Sequence, residues 1–377
     1  MMPLGLAMLS QPQIEIIVIA VVVSAACALS GVFLVLKRLS LVSDAISHSI
    51  PLGIVAVFFL THDLASPLLI VGAAATGVLT VWLIELLTRT RLIKEDAGIG
   101  LVFPVLFSIG VILISRYAGN VHLDVDAVLV GEILYAPLDR VDILGTSLPK
   151  SLVVMVPILL INIVFITLFN KELKLSTFDA GLAAALGFMP AVLHYVLVAV
   201  VSVTAVGAFD AVGSILVVAL MIVPAAAAYL LTDRLSVLIL LSVGIAAACA
   251  VGGYFAARAL DTNIAGAMAT VCGIAFALSL TFAPRRGLLA QVLRRSRQRV
   301  EFAGQLLTVH LLQHEGEPSA EYECSFDHLG EHMRWSDEFA AKVVARVVQE
   351  GYIERSGDRL ELTGLGRAVA DSALGKS

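Results

Sequence analysis

Charged residues are scarce in this sequence. They make up 15% of its 377 residues, whereas soluble domains carry about 25%. Several stretches of about 20 residues, the length that spans a bilayer as a helix, carry almost no charge at all. Together with a hydrophobic content of 59%, this scarcity excludes an ordinary soluble domain. It predicts an all-α polytopic membrane protein.

Cysteines are few and isolated. Cys27, Cys249 and Cys272 each lie alone in an apolar run, and Cys324 lies in the polar C-terminal part. Their spacing matches neither a metal site nor an obvious disulfide framework. Basic residues are absent before Lys37, whereas a secretory signal has a basic start. We therefore expect the first apolar run to remain as a spanning helix.

A nucleotide-binding loop is also missing. No stretch of the sequence matches Gly-x-x-x-x-Gly-Lys-Ser/Thr, the pattern whose backbone amides hold phosphates. If ATP drives this protein, a separate polypeptide must bind it. We therefore expect no ATP-hydrolysing site in this chain.

About nine apolar runs are predicted to span the membrane. The second run is short, which is common for helices that line a substrate path. Lysines and arginines gather at alternate ends of the runs, and an arginine-rich stretch follows the last one. The positive-inside rule then places the N-terminus outside and the C-terminal part in the cytoplasm. The predicted runs are residues 14–36, 45–61, 66–87, 97–117, 150–169, 190–207, 212–231, 235–258 and 263–283.

Asp44 and His48 are the candidate metal ligands. Four residues apart, they share one face of a helix. An ionised Asp inside a bilayer costs about 2.5–3.5 kcal/mol, so it usually has a partner or a task. Carboxylate with imidazole suits Mn, Fe or Zn better than Ca or Mg. The residues alone leave a structural alternative open, in which Asp44 caps the second span and His48 is an interior residue.

The surrounding pattern, Leu-Ser-Leu-Val-x-Asp-Ala-x-x-His-Ser at 39–49, resembles the permease subunits of ABC importers for manganese, zinc and iron. The resemblance implies that Asp44 and His48 handle the transported metal, manganese first and zinc or iron next. His194 and Asp210, at the two ends of the sixth run, are secondary candidates. No permanently bound cofactor is implied.

A second match lies at 171–187, with the pattern Lys-Glu-Leu-Lys-x-x-x-Phe-Asp-x-x-x-Ala-x-x-Leu-Gly. The residues alone predict a short helix that is capped by Ser176 or Thr177 and ends before Gly187 and Pro190. Such a helix could simply lie on the membrane surface. The resemblance instead implies the coupling helix that docks on the ATPase, through Thr177, Phe178, Asp179, Gly181, Ala184, Leu186 and Gly187.

The resemblance continues at 208–233, where a glycine and an aliphatic run precede Pro224-Ala225-Ala226. It implies several partners: a cytoplasmic ABC ATPase, an extracytoplasmic metal-binding protein and a second permease. The location it implies is a bacterial cytoplasmic membrane. By hypothesis, a two-fold dimer would bring two Asp44/His48 pairs together. The outer loop 118–149 is either a solvated loop with an amphipathic helix at 126–138 or a docking surface for the metal-binding protein.

The last part of the chain has a different composition. We predict a transmembrane domain at 1–285, a basic linker at 286–300 and a small cytoplasmic domain at 301–377, which holds 7 Lys/Arg and 14 Asp/Glu. Three helices, a hairpin at 351–363 and a final helix predict a winged helix-turn-helix. Its Leu-Thr-x-x-Gly-Arg segment at 362–367 resembles iron- and manganese-dependent repressors. The acidic charge argues against DNA as a partner.

Half of the histidines lie in this C-terminal part, as two pairs spaced four residues apart. They are either exposed polar residues or a regulatory site that senses cytosolic metal, and a plain dimerisation or ATPase-contact module is a third interpretation. Two rival functions remain for the whole chain: a membrane-bound metal sensor and an ion-coupled secondary carrier. Neither of these two functions requires a coupling helix such as the one predicted at 171–187. The candidate regulatory ligands are His310, His314, Cys324, His328 and His332.

Overall fold

The computed structural model describes residues 10–62, 66, 68–117, 133–143, 145–316, 318 and 320–375, without the side chains of 321 and 330–332. It divides into two compact units, Met1–Ala283 and Pro284–Ser377. Each unit has its own hydrophobic core. The two units are therefore described separately.

The described part of the first unit consists of ten helices and one β-hairpin. The helices are α1 (Gln11–Leu36), α2 (Ser40–Thr61), α3 (Leu68–Arg89), α4 (Glu95–Tyr117), α5 (Lys150–Leu168), α6 (Asn170–Phe178), α7 (Ala180–Ala185), α8 (Pro190–Leu231), α9 (Leu235–Leu260) and α10 (Ile264–Phe282). The hairpin strands are β1 (Arg140–Ile143) and β2 (Thr146–Pro149), paired antiparallel.

Eight helices of the described chain are long and apolar enough to cross a membrane. The prediction of nine separate spanning helices is therefore wrong as a count of helices. The predicted runs 190–207 and 212–231 both fall in α8, which has 42 residues. A straight helix of that length would measure about 63 Å, roughly twice the hydrocarbon thickness. Gly213 interrupts it with a non-helical backbone, φ 76° and ψ 165°.

The first half of α8 runs along α5. Asn162 of α5 donates to the Thr204 hydroxyl at 3.0 Å, so residue 204 lies level with the middle of α5. Asp210 lies 3.4 Å from Lys150, the first residue of α5. The stretch before Gly213 therefore leads towards the N-terminal end of α5.

The second half of α8 turns back. Ser43, near the start of α2, donates to the Met221 sulfur at 3.1 Å. The Met221 backbone also packs so tightly on Gly31 that a Cβ at residue 31 would overlap it. Gly31 lies in the last third of α1, beyond the level of Asn162, whose side chain donates to the Ala26 carbonyl. The chain thus reverses its direction at the Gly213 break.

Helix α1 lies at the centre of this unit. All residues from 23 to 34 are buried, and a helix that is apolar all round belongs in such an interior. Alanine, glycine and serine supply many of these positions and allow neighbouring helices to approach closely. The first predicted run is therefore a core helix in the structure.

The outer hairpin follows a stretch that lies largely outside the described residues. The predicted amphipathic helix at 126–138 is in this position, and its described end, 133–138, forms turns instead of a helix. Arg140 at the start of β1 donates to Glu15 of α1 at 2.9 Å. This ion pair fixes the hairpin to the start of the central helix.

The second unit contains five helices and one hairpin in its described part. The elements are α11 (Leu288–His314), α12 (Ala320–Glu323), α13 (Phe326–His332), α14 (Asp337–Gln349), β3 (Ile353–Ser356), β4 (Arg359–Leu362) and α15 (Gly364–Ala373). Their small core consists mainly of Leu307, Leu311, Leu329, Val343, Ile353 and Leu360.

Several predicted elements of this unit are confirmed. β3 and β4 form the expected antiparallel hairpin, and Ser336 caps α14 by accepting from the Phe339 amide at 3.4 Å. Helix α11 begins at 288, so most of the stretch predicted as a linker is helical, because arginines and leucines favour helix there. The relation to winged-helix repressors stays a prediction.

Candidate functional site

Asp44 lies inside helix α2. The helix begins at Ser40 after Leu39 as N-cap, so the alternative in which Asp44 caps the helix is wrong. His48 Nε2 lies 3.4 Å from Asp44 Oδ1, and the two side chains are 32% and 42% exposed, respectively. The pair is therefore formed within one helix and remains accessible on one side.

Two aromatic rings of α4 flank the imidazole. Phe103 stacks on His48 with 5.7 Å between ring centroids, and Phe107 meets it edge-on at 6.2 Å. These contacts restrict the rotation of the imidazole. They also place the pair beside an apolar wall, where electrostatic interactions are stronger than in water.

Close helix packing fixes the position of α2. A Cβ at Gly53 would overlap α3 near Ala73 and Thr76, and one at Gly110 of α4 would crowd Leu52. Farther along the α2–α3 contact, Thr80 donates to the Ser49 hydroxyl at 2.8 Å. The backbone that carries Asp44 and His48 is thus held between α3 and α4.

Asp44 and His48 alone do not provide a complete set of metal ligands. In the described part of the chain, no third His, Cys, Asp or Glu joins Asp44 and His48 in a cluster. Transition metals such as zinc take about four ligands, and a bare divalent ion in a low-dielectric interior is strongly disfavoured. Two ligands from one chain can hold such an ion only with further ligands from water or a second chain.

His194 lies in a different cluster. Its Nε2 is 2.9 Å from Glu85 Oε1, the Tyr195 hydroxyl donates to Glu85 Oε2 at 2.6 Å, and Arg89 pairs with the same oxygen at 3.5 Å. Sequence reasoning missed Glu85. Its signal was that it is the only acidic residue of α3, since acids within spans usually have a role.

Asp210 is an ion-pair partner at an end of the helix bundle. It lies 3.4 Å from Lys150 and its side chain is 70% exposed. Lys150 also pairs with Asp139 at 3.3 Å. Neither His194 nor Asp210 is brought into a described cluster with Asp44 and His48. The exposure of Asp210 and its contact with the first residue of α5 are typical of a residue at a span boundary.

The predicted coupling segment comprises α6 and α7. The predicted caps Ser176 and Thr177 are wrong because α6 continues through Phe178, and Ser176 bonds back to the Leu173 carbonyl at 3.3 Å. Asp179 instead caps α7, where its Oδ1 accepts from the Leu182 amide at 2.9 Å. A carboxylate stabilises this end because the first amides of a helix are unsatisfied.

The end of α7 matches the prediction. Gly187 adopts φ +87°, a left-handed conformation that favours glycine, and α8 begins at Pro190. The segment leaves an apolar surface uncovered, which is typical of an interaction site. Its large exposed side chains are Phe178, Leu182, Leu186, Phe188 and Met189.

The second unit holds a cluster of possible metal ligands. Side-chain ligand atoms of His310, His314 and Glu323 lie within 4.8 Å of one another. Cys324 is buried and outside this cluster, and burial raises the pKa of its thiol. His328 instead pairs with Glu323 at 2.9 Å. The side chain of His332 lies outside the described part.

Comparison with known proteins gives clear similarities. The sequence profile described as "ABC 3 transport family" matches residues 13–283. The zinc transport system membrane protein TroD of Treponema pallidum is 49% identical over 360 residues, which cover 96% of this chain and 98% of that protein. The manganese transport system membrane protein MntD of Bacillus subtilis is 44% identical, covering 77% of this chain and 98% of that protein.

A solved structure is also similar. A chain of PsaBC from Streptococcus pneumoniae in complex with Fab has a TM-score of 0.61 and 28% identity. The match covers 72% of this chain and 92% of that chain. The share of this chain that it covers is close to that matched by the family profile.

Proposed function

Because the chain belongs to the ABC 3 transport family, we propose that it is the permease subunit of an importer for a divalent transition-metal ion, zinc or manganese. The sequence pattern favoured manganese, with zinc and iron next. The names of the relatives include both zinc and manganese. A separate ATPase subunit supplies the energy, and an extracytoplasmic metal-binding protein delivers the ion.

The transported ion binds transiently to Asp44 and His48. The partial exposure of both side chains supports access from a path beside α2. Two permease subunits around a two-fold axis would provide two carboxylates and two imidazoles. This donor set suits manganese, zinc and iron, and it completes a site for which one chain supplies two ligands.

The ATPase docks on α6 and α7. The exposed apolar side chains Phe178, Leu182 and Leu186 supply the kind of surface that a partner protein covers. Helix α8 starts directly after this segment and continues into the helix bundle of the first unit. Movement of the docked segment would therefore be transmitted along α8 to the packed helices.

The chain crosses the membrane nine times. The reversal at Gly213 supports this path, because it lets the two halves of α8 count as two crossings. The N-terminus is then outside and residues 301–377 are in the cytoplasm, after the basic stretch at 286–300. The helix–hairpin–helix order of the second unit supports a winged-helix domain of the repressor type.

The exposed apolar surface of α6 and α7 is the observation that carries this proposal, since a sensor or a secondary carrier needs no surface for an ATPase. Proteoliposomes with the chain and its co-purified ATPase should accumulate Zn²⁺ or Mn²⁺ only when ATP is supplied. Leu182→Asp should abolish both co-purification and uptake, because a charge in an apolar contact is poorly tolerated.

Leu92→Asp is the matched control, as it makes the same substitution at an exposed leucine between α3 and α4, outside the docking segment. If this control variant still binds the ATPase, the loss of binding in Leu182→Asp comes from a local contact and not from the added charge in general. Metal accumulation that proceeds without ATP, in the presence of an ion gradient, would overturn the ABC importer in favour of a secondary carrier.

A further inference from the structure

We propose that the C-terminal unit binds a divalent transition-metal ion through His310, His314 and Glu323. This site is separate from the transport pair, which lies in the other unit. The ligand atoms of the three residues already lie within 4.8 Å of one another. Small side-chain rotations would bring them to the coordination distance of about 2.0–2.2 Å from a common ion.

Helix α11 supplies both imidazoles. His310 and His314 are one turn apart in its last turns, with 4.7 Å between their ring centroids. Residues four apart on a helix face the same way, so the two rings converge without any change in the backbone. His310 is only 5% exposed, which shields one side of the site from water.

Glu323, the last residue of α12, completes the donor set. Its backbone carbonyl lies 3.1 Å from His310 Nε2. Its carboxylate lies 2.9 Å from His328 Nε2. Carboxylates that ligate metals are commonly oriented by such outer partners, so His328 acts as a positioning residue. Cys324 has no part in the donor set.

Two imidazoles and one carboxylate form a donor set found in zinc sites that keep an open fourth position. The same set also suits other first-row divalent ions. The site would tie the end of α11 to the β3–β4 hairpin, because Leu360 of β4 donates to the Cys324 carbonyl at 2.9 Å. With the proposed cytoplasmic location, occupancy would report the cytosolic metal level.

The test uses the full chain in detergent micelles, stripped by a chelator and dialysed against Zn²⁺. The Asp44→Ala background removes the transport pair, so remaining ions report other sites. We expect one Zn²⁺ per chain in this background, and Co²⁺ in its place should give visible d–d absorption. His314→Gln and Glu323→Gln should each lose that ion, and His328→Gln should weaken binding about 10–100-fold.

Gln313→Ala is the control, because Gln313 is an exposed neighbour on the same turn of α11. It should bind Zn²⁺ as the background chain does. The proposal fails if the background chain binds no Zn²⁺ and shows no Co²⁺ band. It also fails if both ligand variants bind Zn²⁺ as tightly as Gln313→Ala. Either result leaves the proposed transport function untouched.

Discussion

In the described part of the first unit, two carboxylate–imidazole pairs differ in what else the carboxylate contacts. Asp44 and His48 belong to one helix and are 3.4 Å apart. Glu85 and His194 belong to α3 and α8 and are 2.9 Å apart. Both pairs contain the donor types that bind transition metals, so chemistry alone does not distinguish them.

The surroundings do distinguish them. Glu85 Oε2 accepts from Tyr195 and pairs with Arg89, and Oε1 contacts His194, so both oxygens are engaged. Among the described residues, His48 is the ion-pair partner of Asp44. We call the Glu85 carboxylate saturated, because both of its oxygens have partners, and the Asp44 carboxylate open, because His48 contacts one of its oxygens. A saturated carboxylate that joins two helices stabilises the fold, whereas an open one can still bind a cation. This difference supports the proposed transport role of Asp44 and favours a structural role for Glu85.

Removing the open carboxylate should have the largest effect. Asp44→Ala should reduce radioactive Mn²⁺ or Zn²⁺ uptake to background, since the ion loses the charge that offsets its desolvation. Assembly with the ATPase should be unchanged. Asp210→Ala is the control, because Asp210 is an exposed ion-pair partner at the bundle end. Wild-type uptake by Asp44→Ala would refute the assignment.

Replacing the imidazole should have the next largest effect. His48→Gln keeps a polar side chain beside Asp44 but offers a weaker ligand, so we expect uptake to fall about 10–100-fold, as for a perturbed metal site. Uptake at several Mn²⁺ concentrations separates weaker binding from slower transport. An unchanged concentration dependence in His48→Gln would show that the imidazole does not bind the ion.

The difference between these pairs also explains what the sequence could predict. Asp44 and His48 were recognised because helical spacing alone brings them together. The seven spans other than those in α8 follow from apolar length. The turn chemistry at Gly187 is local as well. Features that depend on the nearest few residues are visible in the sequence.

Tertiary features were missed. Glu85 meets Tyr195 only because α3 packs on α8, 110 positions away in sequence. The cap was predicted at Ser176 or Thr177 instead of Asp179, because several neighbouring residues could cap and the continuation of α6 decides between them. Glu323 joins His310 through the fold of α12 against α11. Periodicity holds no information on such contacts.

Neutralising the saturated carboxylate should reduce stability more than transport. Glu85→Gln keeps the shape but removes the charge that Arg89 and His194 contact. We expect the free energy of unfolding to fall by about 1–3 kcal/mol, as for hydrogen bonds to charged groups, while uptake per folded transporter stays within about threefold. Thermal unfolding in detergent and proteoliposome uptake measure the two effects. Glu95→Gln, an exposed acid in the first turn of α4, should change both less.

The smallest effect is expected where one hydrogen bond is removed from the saturated cluster. Tyr195→Phe deletes the donor at 2.6 Å from Glu85 Oε2, but Arg89 still approaches the same oxygen. Polar contacts between membrane helices average about 0.6 kcal/mol, so the variant should unfold only slightly earlier and transport normally. If uptake instead collapses to the level of Asp44→Ala, the cluster lies on the ion path. The distinction between an open and a saturated pair would then be wrong.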